Sequence, residues 1–111
     1  MATLWKELVK GTALTGTSAL VYTAPTLTYA AIQAATATNS TAGAIAVNVF
    51  LVPVGQSVGA AYRILNQNVP AGTTANLSAI VNHKLEPGAM LYADGNGMNL
   101  TISGTEYVPN T

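Results

Sequence analysis

Cysteine is absent from the 111 residues, histidine, tryptophan and phenylalanine occur once each, and only eight side chains are formally charged. Without cysteine there can be no disulfide, no thiolate metal site and no cysteine nucleophile. The shortage of charge excludes more, because soluble domains carry about one charged residue in four. The eight are Lys6, Glu7, Lys10, Arg63, Lys84, Glu86, Asp94 and Glu106, and they sum to zero. A chain with no basic excess lacks the field that nucleic-acid binders use, so nucleic acid is not expected as a partner. A neutral surface also has little long-range repulsion to keep copies apart, which favours association. The most apolar stretch, residues 42–54, is broken by Gly43, Asn48 and Pro53. It is shorter than the roughly 20 residues a spanning helix needs, so no membrane segment is expected. Lys6 and Lys10 could mimic the basic start of a leader peptide. However, Glu7 lies between them, and Thr12, Thr15, Thr17 and Ser18 dilute the adjoining apolar segment, which reads against a cleaved leader.

What is abundant is Ala, Thr, Val, Leu, Asn and Gly. In residues 44–52, Ile45, Val47, Val49 and Leu51 alternate with Ala46, Asn48 and Phe50, the period of a strand with one face on a core. In residues 98–102, Met98, Leu100 and Ile102 alternate with Asn99 and Thr101, with Ser103 following in phase, the cleanest half-buried strand in the chain, and Gly104 marks a bulge before residues 105–108. Further strands are expected over residues 18–23, 27–36, 61–65, 76–81 and 89–92, while residues 4–9 fit either a strand or a helical turn. Pro25, Asn39-Ser40-Thr41, Pro53-Val54-Gly55, Pro70-Ala71-Gly72, Pro87-Gly88 and Asp94-Gly95-Asn96-Gly97 punctuate these runs with residues that preset turn dihedrals. Short strands at this spacing predict an all-β, antiparallel sandwich or jelly-roll-like single domain over residues 18–111, preceded by an N-terminal arm over residues 1–17.

Few residues could carry chemistry. His83 stands next to Lys84, and the nearby Glu86 lies on an irregular stretch toward Pro87, so a surface or interface histidine outweighs a catalytic one. Asp94 is the single acid of its glycine-rich turn, where a calcium loop needs several carboxylates, and a hairpin turn explains it better. Residues 11–16 lack the Gly-Lys-Ser/Thr ending of a phosphate loop. No catalytic residue, metal site or cofactor is therefore expected. Aromatic and arginine side chains anchor protein interfaces, which singles out Trp5, Tyr62 and Arg63. Lys6 and Lys10, on the expected arm, join them as candidate contacts.

Leu20-Val21-Tyr22-Thr23-Ala24-Pro25 resembles the opening of small virion proteins of tailed bacteriophages. The order of later signals is similar too: Asn39-Ser40-Thr41, the strand of residues 44–52 with Pro53-Val54-Gly55, then Pro70-Ala71-Gly72, Leu85-Glu86-Pro87-Gly88 and Ser103-Gly104-Thr105-Glu106. Ala89 departs from the acid that often follows the late-turn glycine in such proteins. The resemblance implies a β-sandwich of a virion, assembled in the host cytoplasm, as a capsid decoration (cement) protein that contacts the major capsid or other virion proteins. It implies no catalytic residues. Self-association is expected, with a trimer favoured. A tail or head–tail connector component, or a carbohydrate- or host-surface-binding fibre-type module, is the alternative.

Overall fold

Backbone pairing turns this alternation into two sheets. The computed structural model describes residues 2–109. The strands are β1 (Ala2–Ala13), β2 (Ala19–Thr23), β3 (Tyr29–Asn39), β4 (Ile45–Val52), β5 (Arg63–Val69), β6 (Thr73–Asn76), β7 (Lys84–Leu85), β8 (Met90–Asp94) and β9 (Met98–Val108). The larger sheet runs β1-β9-β3-β6, with β7 also on β3, and the smaller runs β2-β8-β4-β5. All pairings are antiparallel.

β6 and β7 pair with opposite ends of β3, and together they make one broken strand along its edge. With these two counted as one, the chain changes sheet at every connection except β4 to β5. That winding is a jelly roll, as the turn spacing predicted. The core lies between the sheets. Leu8, Val9, Ile32, Leu77, Ile80, Leu85, Met98, Leu100 and Ile102 from the larger sheet and its connections meet Val47, Val49, Leu65, Val69, Leu91 and Ala93 from the smaller.

Four expectations are corrected, the last of them at Gly104. The arm expected over residues 1–17 is not free in its described part, because 2–13 form β1, paired with β9 from Ala2↔Val108 to Ala13↔Asn99. Two register shifts bend β1, between Glu7 and Val9 and between Val9 and Thr12, and Gly11 sits there with φ +59°. Residues 76–81 are not a strand either. Beyond Asn76 the chain makes a 3-10 turn, Ser78–Ile80, whose three-residue period sends both Leu77 and Ile80 into the core. Asn82, at φ +75°, then returns it to β3 by donating its amide to the Ile32 carbonyl at 2.7 Å. The Asp94 turn, too, is no hairpin. β8 and β9 lie in different sheets, so residues 95–97 form a corner, tied down by Gly95 N–H donating to Thr15 O at 2.9 Å.

Gly104 sits where three strands crowd. It pairs with Lys6 on one side and Ile32 on the other, next to the bulges of both β1 and β3. A Cβ there would lie 1.9 Å from the Ala31 carbonyl oxygen, so only glycine fits. The glycine was expected to mark a bulge in its own strand. β9 instead runs unbroken, and its neighbours bulge around it.

Candidate functional site

The inward-facing row of β9 runs Met98, Leu100, Ile102, Gly104 and then Glu106. Alternation thus delivers a carboxylate to the core side, and Glu106 is only 5 % exposed. A buried charge needs partners. Lys6 Nζ donates to its Oε1 at 3.3 Å, and the Tyr22 hydroxyl donates to its Oε2. Tyr22 belongs to β2 of the smaller sheet, so this contact ties the two sheets together. Burial raises the Tyr22 pKa well above the usual tyrosine value, and the hydrogen bond to Glu106 and the negative charge of Glu106 raise it further. A phenol held protonated in this way is a donor, not a nucleophile or a base. The cluster can clamp the sheets and hold β1 in place. Its one sequence signal was an acid at an inward position of a strand, four residues beyond Ile102.

A second polar group lies on the smaller sheet. Asp94 accepts from Ser18 Oγ at 3.0 Å and from Asn48 Nδ2 at 2.8 Å, and Asn66 Nδ2 donates to Asn48 Oδ1 at 2.6 Å. The row crosses β8, β4 and β5, and both Asp94 oxygens are engaged within it. His83 is half-buried between the 3-10 turn and β7, where its carbonyl accepts from the Ile32 amide at 3.0 Å. Among the described residues there is no group of three or more His, Asp or Glu side chains placed to hold a metal ion. Among the same residues, no helix is long and apolar enough to cross a membrane.

No protein-family model, curated protein or solved structure matches the chain. Its surfaces must therefore be read from their own side chains, and the outer face of the larger sheet is the most distinctive. Trp5 is opposite Thr105, which is opposite Ala31, which is opposite Lys84, and this row crosses β1, β9, β3 and β7. In the next outward row Thr3 is opposite Tyr107 and Tyr107 opposite Tyr29. Trp5 is 84 % exposed, Tyr29 46 % and Tyr107 38 %. Small Ala31 and Thr105, with the two tyrosines and Lys84 around them, leave a hollow of about 260 Å³ whose lining is almost wholly apolar.

The five residues singled out from sequence are not brought together. Trp5, Lys6 and Lys10 lie on β1, an outer strand of the larger sheet, while Arg63 opens β5, an outer strand of the smaller, with Tyr62 just before it. Lys6 faces inward to Glu106 and Trp5 faces outward. Tyr62 is half-buried, with its hydroxyl donating to Gln56 Oε1 at 3.4 Å, and Arg63 is exposed opposite Phe50. Sequence reasoning placed Trp5 at an interface but missed Tyr29 and Tyr107. They are 78 residues apart (107 − 29) and become neighbours only through the β3–β9 register.

Proposed function

We propose that this chain is a structural protein of a bacteriophage virion, a capsid decoration (cement) protein that stabilises the head by bridging neighbouring capsid subunits. The observation that carries this reading is a jelly roll that ties up three of its eight charged side chains within the fold and gathers three exposed aromatic side chains on one outer face. Glu106, Lys6 and Asp94 are engaged within the fold. Trp5, Tyr29 and Tyr107 share one outer face. Jelly rolls recur in capsid and lectin domains, and fold alone does not choose between such uses. The inward use of charge supports a role played by shape and contact area. Copies bound at symmetry-related sites would add many weak contacts into tight retention.

The direct test is to purify particles and ask whether the protein co-sediments with them in many copies. Reading the head lattice by electron microscopy then distinguishes decoration from a tail or connector position. Recovery of the chain only in the soluble fraction of infected cells would count against the proposal.

A further inference from the structure

We propose that the outer face of the larger sheet is a self-complementary interface, on which two copies of this chain pair face to face about a two-fold axis. Trp5 of each copy seats in the Tyr29–Ala31–Thr105–Tyr107 hollow of the other. The inference stands on the chain's own surface and does not depend on the virion reading.

The surface has the parts such a pairing needs. Trp5 is a knob left 84 % exposed. The hollow begins one strand away, at Thr105. A two-fold axis running between knob and hollow carries each onto the other, which is the requirement for an isologous contact. At about 260 Å³ the hollow falls below the roughly 300 Å³ at which small-molecule sites begin, and it suits a single aromatic side chain. Its apolar lining also lacks the convergent polar groups that would orient a sugar. Lys84 stands at the rim, its Nζ donating to Asn82 O at 2.7 Å.

Charge fits this pairing, and the area is that of a small interface. Glu7 projects from the same outer face at the β1 edge, and Lys84 from the β7 edge on the far side of β3. An axis over β9 carries the β1 edge of one copy onto β3 of the other and sets β7 just beyond β1, so Lys84 of one copy lies on the side of Glu7 of the other. The remaining exposed side chains of β9, β3 and β6, of which Gln33 is the longest, are uncharged. Strands of 11 and 12 residues in a sheet four strands wide give a face of roughly 700 Å² at ordinary strand spacings, of which an axis over β9 overlaps about two thirds. A standard stable interface buries about 800 Å² per partner.

The experiment is sedimentation equilibrium of the isolated full chain across a concentration series, with emission of Trp5, the chain's one tryptophan, recorded on the same samples. The expected result is a mass twice that of the chain and a blue shift of Trp5 emission as the dimer forms. Trp5→Ala should weaken dimerisation at least 100-fold. Ala31→Arg keeps the knob but fills the hollow, and it should weaken dimerisation by a similar factor while circular dichroism shows the fold retained. A monomer at every concentration, a trimer, or a dimer indifferent to both substitutions overturns the proposal. So does a Trp5 shift that needs added glycan, which would mark the face as a sugar platform. Loss of particle binding with the dimer intact, or the reverse, separates this inference from the virion role.

Discussion

The two ends of the larger sheet are finished in opposite ways, although the same strands, β3 and β9, run through both. At the end where Asn39 pairs with Met98, Asn39 is fully buried and its amide is completely used. Its Nδ2 donates to Gly43 O and Val69 O, each at 2.9 Å, and its Oδ1 accepts from Thr41 N at 2.9 Å and Thr41 Oγ1 at 2.6 Å. One side chain there closes the β3–β4 corner and ties it to the end of β5. At the other end, where Tyr29 pairs with Tyr107, all the described side chains of residues 3–7 on β1 are exposed, and the aromatics stand outside. The contrast shows how a chain poor in charge separates two tasks. Buried polar bonds secure both ends, through Asn39 at one and Glu106 at the other, but only the second end also carries an exposed aromatic surface.

Gly104 holds the two ends in register, and removing it is the hardest way to break the contrast. Gly104→Ala forces a methyl against the Ala31 carbonyl, a backbone atom that cannot swing aside. We expect a loss of about 3 kcal/mol, or a Tm lower by about 12 °C in calorimetry. An unchanged Tm would show that β3 can shift freely past β9.

Next in size is Asn39→Ala, which strips the closed end of its lock and leaves the Val69 carbonyl without its side-chain donor. A loss of about 2 kcal/mol is expected in chemical denaturation. Because the open end is remote from Asn39, dimer affinity should stay the same; a parallel fall in affinity would mean the two ends are coupled.

The smallest effect belongs to the clamp at the open end. Tyr22→Phe removes the donor to Glu106 and should cost about 1 kcal/mol at neutral pH. Its diagnostic lies at high pH. Because the folded pKa of Tyr22 is raised, the unfolded chain loses this proton first, near the ordinary value of about 10. Above that pH the folded state binds more protons than the unfolded state, so stability falls with rising pH. The wild type should lose stability above pH 10 more steeply than Tyr22→Phe. Equal slopes in denaturant titrations at pH 9 and 11 would show that the phenol is not held by the fold.

Much of this architecture was legible because alternation is a local signal. β4 and β9 were readable from Val47 and Val49 and from Leu100 and Ile102, whose inward positions follow directly from a period of two. β1 was ambiguous because its bulge turns consecutive residues, Leu8 and Val9, both toward the core and spoils the period. The stretch from Leu77 to Ile80 failed for the related reason that a 3-10 turn buries residues three apart. Glycine-rich turns announce a reversal of the chain but not the sheet it reverses into, so the Asp94 corner passed for a hairpin. The site was less legible still. Tyr22 meets Glu106 across 84 residues, and Trp5 joins Tyr29 and Tyr107 only through pairings that no local pattern encodes.

The partnership of β1 with β9 bears on how the domain comes into being. Lys6 and Glu106 are 100 residues apart, so nearly the whole domain must be synthesised before β1 can find its place. Until then the strand is an open template on a nascent chain, with Trp5 uncovered. Closing so long a loop makes the last step slow and entropically costly, as non-local β pairings are. Lys6, Glu7 and Lys10 fall on this one strand, where charge discourages premature pairing with other chains during the wait.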